Sequence, residues 1–284
     1  MENALHVFSV TKSVVNALIG IAVHQGCVKG IDQKVLDFFP NFKIAEGEKT
    51  LQKITIRHLL TMTAPYKYET EPYEKFFASQ NPIQDALDLL GGDKPIGKFN
   101  YSAVGGTQIL SGILVKATGR PVLEFAEENL FSPLDIHVPQ NVVLRSEEEH
   151  FAVMNDKNAR GWAVDPQGIN TAGWGLFLTP PEMARFGQLY LNHGIWNSRQ
   201  LVPAEWIDES TREHSCWGEL KYGFLWWVID ETERSCAAMG DGGNVIYVNP
   251  AKNIVVAIAS VFVPHPGDRI GLIKEILEPM FENQ

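Results

Sequence analysis

An α+β fold is what the sequence predicts, and three observations carry it. Residues up to about 210 read as helices separated by long loops. β-branched and aromatic runs divided by turn residues fill Tyr222 to Val261, and an amphipathic stretch, Ile270 to Met280, closes the chain. Helices, then antiparallel strands, then a terminal helix imply a sheet with helices packed on it. At 284 residues, with 45% hydrophobic and 20% charged side chains, there is ample core for one domain of two lobes. The helical lobe is expected over about 10–210 and the sheet lobe over about 211–284, with no internal repeat and no separating linker.

The first element decides most. From Phe8 to Gln25, apolar residues from Val14 to Val23 cover most of a helix circumference, and Gly26 is a natural stop. Ser9, Lys12, Ser13, Asn16 and Gly20 form a narrow small-or-polar stripe at helical spacing. A helix apolar nearly all round is buried, so that stripe must face polar groups inside the protein. Ser9 and Lys12 share one face. A lysine in such a place is costly unless it is paired or neutral, and a neutral lysine beside a hydroxyl makes serine nucleophilic.

The following elements are shorter. Asp32 is placed to cap a helix through Val35, Leu36 and Phe39 that Pro40 ends, and Thr55 to cap Ile56 to Met62. Tyr66 to Asn81 has no clear period and reads as a loop-rich excursion, before a short helix over Asp85–Leu90. Gly106 to Ala117 and Val122 to Leu130 are helical, separated by Gly119-Arg120-Pro121. Thr179-Pro180-Pro181-Glu182 has the form of a capped helix start. Strands are expected over Tyr222–Ile229, Ser235–Met239, Val245–Val248 and Ile254–Val261.

Composition excludes several classes. A net charge of −10, a pI near 5.3 and the lack of a basic patch argue against a nucleic-acid partner. The apolar run Val14–Val23 is too short to span a bilayer, and Met1 to Val7 has neither the basic start nor the cleavage site of a signal peptide, which favours the cytoplasm. Cys27, Cys216 and Cys236 fit neither a zinc knuckle nor a disulfide framework. Scattered histidines without a tight ligand pair give no reason to expect a metal or other cofactor. The stretch Gly92 to Phe99 approaches a P-loop but lacks the final Ser/Thr and follows a helix, and no Gly-x-Ser-x-Gly elbow is present.

Two further stretches can serve Ser9. Tyr101, in the turn Phe99–Gly106, can shuttle a proton if a nearby cation lowers its pKa, though it reads equally well as a half-buried aromatic. Met239-Gly240-Asp241-Gly242-Gly243-Asn244 precedes a strand, and glycines there let a carbonyl approach backbone N–H groups, although a hairpin turn is the plainer reading. Taken in order, these three stretches resemble the serine hydrolases of the penicillin-binding protein and class C β-lactamase family. Ser9-Val10-Thr11-Lys12 is similar to its Ser-x-x-Lys, Tyr101-Ser102-Ala103 to its Tyr-x-Asn, and Asp241-Gly242-Gly243 to its third Lys/His-Thr-Gly box. Leu59–Thr63, Gly173-Trp174-Gly175-Leu176, Gly187–Tyr190 and Tyr222–Trp227 extend the likeness, toward the esterase and amidase branch, over nearly the whole chain.

The resemblance implies a β-lactamase/transpeptidase-like fold, a helical lobe beside an antiparallel sheet with the site between them. It implies a hydrolase of small esters or amides working through an acyl-Ser9 intermediate, with Lys12 and Tyr101 moving protons. The N–H groups of Ser9 and Asn244 would stabilise the oxyanion with Gly243 close by, and Ser102 and Asp241 would meet the substrate. The chain also departs from the pattern. Ala103 replaces a carboxamide, Asp241 stands where a cation usually meets the substrate carboxylate, and the N-terminal strands of relatives are missing before Ser9. The last implies an exposed sheet edge and self-association, and the first, with that missing N-terminal region, keeps open a module that is acylated without turnover or a catalytically dead homologue. The Asp241 charge implies that short neutral esters are better substrates than β-lactams.

Overall fold

The computed structural model describes residues 3–154, 156 and 158–281. Its centre is helix α1 (Val10–His24), buried from Val10 to Ala22. The polar stripe read from the sequence is spent inside the protein. Ser13 Oγ donates to the Leu225 carbonyl at 2.7 Å. The Asn16 amide nitrogen donates to the Tyr190 hydroxyl and Ser210 Oγ, and its oxygen accepts from the Trp206 indole N–H. Gly20 lies under the Trp206 ring, where a Cβ would fall 2.5 Å from ring atoms.

α1 is followed by α2 (Ile56–Leu60), α3 (Tyr73–Ala78), α4 (Pro82–Leu89), α5 (Gly105–Thr118), α6 (Val122–Ala126), α7 (Glu147–Met154), α8 (Pro180–Leu191) and α9 (Ala204–Ser210), and α5 packs directly against it. The Thr179–Glu182 start is a capping box, and Thr55 forms another with His58. Asp32 caps nothing: its carboxylate takes a bidentate pair from Arg57, and the turn it was expected to open is a short 3-10 helix, Val35–Phe38. The excursion 66–81 contains α3, whose six residues are too short a run to leave a periodic signal.

Two strands, β1 (Leu5–His6) and β4 (Phe177–Leu178), pair antiparallel at the entrance to α1. Two further small pairs are β2 (Asn141–Val143) with β3 (Trp162–Val164), parallel, and β5 (Ile195–Trp196) with β6 (Arg199–Gln200). The main sheet holds β7 (Ser215–Trp217), β8 (Leu220–Tyr222), β9 (Trp227–Asp230), β10 (Ser235–Gly240), β11 (Asn244–Asn249) and β12 (Ile254–Ile258). They pair antiparallel in the order β12-β11-β10-β9-β8-β7. The expected strand over Tyr222–Ile229 is two strands, because Leu225 adopts a positive φ of 56° and the chain turns there. The hairpin β7–β8 was not expected. The closing helix begins at Arg269, passes through a π-helical turn, Ile273–Leu277, and ends at Phe281. It lies on the sheet face formed by Ala237, Val245 and Tyr247. Among the described residues β12 pairs on one side only.

Candidate active site

Ser9 sits at the N-cap of α1 but makes no capping bond through its side chain. Its hydroxyl instead accepts from Lys12 Nζ at 2.8 Å, and the same ammonium nitrogen donates to the Gly173 carbonyl at 2.7 Å. Lys12 is 1% exposed. Desolvation pulls its pKa down to about 8, while the Glu71 and Asp241 carboxylates oppose that fall. The turn that presents Ser9 is strained: Phe8, a bulky residue, holds φ +48°. His6 helps fix it, its Nδ1 accepting the Phe8 N–H at 3.3 Å. Burial lowers the His6 pKa to about 3, so the ring remains the neutral acceptor this contact requires. Among the described residues the Ser9 N–H has no protein acceptor.

Tyr101 comes from the loop before α5. It lines the same cleft as Ser9, and its ring centroid is 5.4 Å from Lys12 Nζ. The sequence suggested that a nearby cation would lower the tyrosine pKa. Burial instead raises it, and the Asp241 and Glu71 carboxylates add to the rise, so Tyr101 keeps its proton at neutral pH. Ser102 does not face the cleft. It is fully buried, donates to Glu71 Oε1 at 2.7 Å and accepts from the Gly106 N–H, so the expected substrate contact is corrected to a structural one. Ala103 brings no polar side chain, and Lys12 finds its second acceptor on Gly173 instead.

Glu71 is a residue that sequence reasoning missed. Its carboxylate also accepts the N–H groups of Ala103, Val104 and Gly105 at 2.6, 3.1 and 2.7 Å. It therefore closes the N-terminus of α5, where the free N–H groups and the helix dipole favour an anion. No local signal marks it, since it lies 31 residues before Ser102 in an aperiodic stretch. Gly173 was legible only as part of the Gly-Trp-Gly-Leu likeness. A Cβ at Gly173 would fall 2.0 Å from the Ala103 carbonyl, so a glycine alone lets the Gly173 carbonyl sit where Lys12 reaches it.

The glycine-rich turn is placed one step differently from expectation. At Gly240 a Cβ would fall 2.2 Å from the Val7 carbonyl and 3.1 Å from the Ser9 nitrogen, so Gly240 and Asp241 form the backbone beside the nucleophile. Gly243 packs instead against Pro266 and Arg269. Asn244 is fully buried, its amide donating to the Asp241 carbonyl and accepting from the Ser260 N–H. The assignment of Gly243 and Asn244 to the oxyanion region is thus corrected to Gly240 and Asp241. Register explains the slip: Asn244 pairs with Gly240 across a three-residue turn, so it lies on the neighbouring strand, while Gly240 is the residue next to Ser9.

A cleft of about 530 Å³ opens over Ser9, walled by Phe99, Tyr101, Trp217, Trp227, Met239 and Asp241. Among the described residues no group of three His, Cys, Asp or Glu side chains is arranged to hold a metal ion. None of the described helices is long and apolar enough to cross a membrane.

Residues 3–278 match the family described as Beta-lactamase. The chain belongs to that family. Similarity to individual members is low. The 6-aminohexanoate-dimer hydrolase of Paenarthrobacter ureafaciens is 22% identical over 284 residues, covering 92% of this chain and 67% of that protein. A family VIII carboxylesterase superposes with a TM-score of 0.70 at 16% identity, over 95% of this chain and 81% of the other. A penicillin-binding protein homologue from Caulobacter crescentus gives 0.69 at 19% identity, over 92% and 78%. These structures establish the β-lactamase/transpeptidase-like fold, with its helical lobe beside an antiparallel sheet. This member of the Beta-lactamase family thus shares its fold with a carboxylesterase and a penicillin-binding protein homologue.

Proposed function

We propose that the protein is a serine hydrolase that cleaves small esters or amides through an acyl-Ser9 intermediate. The observation that carries this reading is Lys12 Nζ at 2.8 Å from Ser9 Oγ in a buried setting that favours the neutral amine. Neutral Lys12 takes the Ser9 proton as Oγ bonds to the substrate carbonyl carbon. Negative charge then gathers on the carbonyl oxygen, and in this reading the free Ser9 N–H and the Asp241 N–H next to Gly240 are its donors. As the tetrahedral intermediate collapses, the bond to the leaving oxygen or nitrogen breaks and that atom takes a proton. Tyr101, protonated and beside Ser9 in the cleft, passes it on and is reprotonated from Lys12. Water repeats the sequence on the acyl-enzyme, with Lys12 accepting its proton, and frees the acid. The carboxylesterase and the dimer hydrolase among the relatives support ester and amide carbonyls as targets.

Asp241 bears on the choice of ester. Its exposed carboxylate lines the cleft, which disfavours a substrate carboxylate such as that of penicillins and cephalosporins. Mass spectrometry after treatment with a fluorophosphonate tests the reading. Ser9 should carry the adduct, Ser9→Ala should carry none, and a nitrophenyl ester should be turned over by the parent alone. An acyl adduct from that ester that never clears would show an acceptor that does not turn over. No adduct at Ser9 would remove the proposal.

A further inference from the structure

The cleft over Ser9 has one charged wall residue and several aromatic ones. Asp241 is exposed, and among the described residues no Lys, Arg or His forms an ion pair with it. Arg269 packs against Gly243 two residues away, yet makes no such pair. The same cleft presents π surfaces. Trp227 stacks on Tyr101 with centroids 6.2 Å apart and meets Phe99 at 6.4 Å, and Trp217 is 65% exposed at the same cleft. A free carboxylate beside aromatic faces is the chemistry that holds an alkylammonium: the anion supplies charge and the rings supply their negative faces. The net charge of −10 adds a field of the same sign to draw a cation in.

We infer that the preferred substrates are esters or amides carrying a primary or quaternary ammonium group, held between Asp241 and the Trp217–Trp227 wall. This rests on the acyl-Ser9 reading and adds the charge class of its substrate. A neutral ester would lack the Asp241 contact, and an anionic one would meet repulsion. The preference should fall as salt rises, because Asp241 is solvent-exposed.

The test compares three thioacetates: S-acetylthiocholine, its uncharged isostere 3,3-dimethylbutyl thioacetate, and S-acetyl-3-mercaptopropionate. In the parent at low ionic strength, kcat/KM should favour the cation over the isostere by about tenfold or more and place the anion last. In Asp241→Asn the cation-to-isostere ratio should drop to about threefold or less, leaving the aromatic share. In Asp241→Lys the order of cation and anion should reverse. A parent ratio at or below one, with the isostere still hydrolysed through Ser9, would overturn the charge assignment alone. An unchanged ratio in Asp241→Asn would do the same. Failure to label Ser9 with a fluorophosphonate would instead overturn the hydrolase reading, and this one with it.

Discussion

At the scale of single residues, the site is a balance of desolvation against two carboxylates. Burial drives Lys12 toward its neutral form, and Glu71 and Asp241 hold it back, leaving its pKa at about 8. The base works when neutral, so activity should rise with pH through about 8 rather than stay flat between 5 and 9. Glu71 enters twice, since it also ties down the three backbone N–H groups after Ser102. Glu71→Gln removes the negative charge that favours protonated Lys12, so the acidic limb should move to lower pH. It should also cut kcat, because the loop carrying Tyr101 loses most of its cap. A pH–rate profile separates these effects: a lower kcat with an unmoved limb would show that Glu71 acts through structure only.

Among the elements, α1 links catalysis to the core. Its stripe begins with Ser9 and Lys12 in the cleft and runs on through Ser13, Asn16 and Gly20 into a buried network. Gly20 is required by packing. In Gly20→Ala the new methyl would meet the Trp206 ring, whose indole N–H also serves Asn16. Overpacking of this kind costs about 1–3 kcal/mol, more than the roughly 1 kcal/mol that alanine returns in helix propensity. Thermal unfolding should therefore show a Tm lower by a few degrees. An unchanged or higher Tm would mean that Trp206 moves aside freely.

For the molecule as a whole, the consequential feature is the β12 edge. Val255, Val256, Ala257 and Ile258 are each partly exposed, and their outer backbone groups meet no strand among the described residues. An open apolar edge is a template for pairing. Sedimentation velocity should show self-association that grows with concentration, and Ile258→Lys should reduce it by placing a charge on the edge. A concentration-independent monomer in the parent would show that the edge is adequately guarded.

The sequence by itself determined the α+β order of elements, the central helix with its polar stripe, the Thr179 capping box and the closeness of Ser9 to Lys12. Each is written in a local pattern: helical spacing, capping chemistry, or a short motif whose members lie within a few residues. It stopped short where a residue acts through partners far along the chain. Glu71 sits in an aperiodic stretch, and its meaning comes from Ala103, Val104 and Gly105. Ser102 adjoins Tyr101, but the pull of Glu71 turns it away from the cleft. The β10–β11 register alone decided that Gly240 and Asp241, not Gly243 and Asn244, border Ser9. Register and burial are set by contacts between elements, and those exist only once the chain has folded.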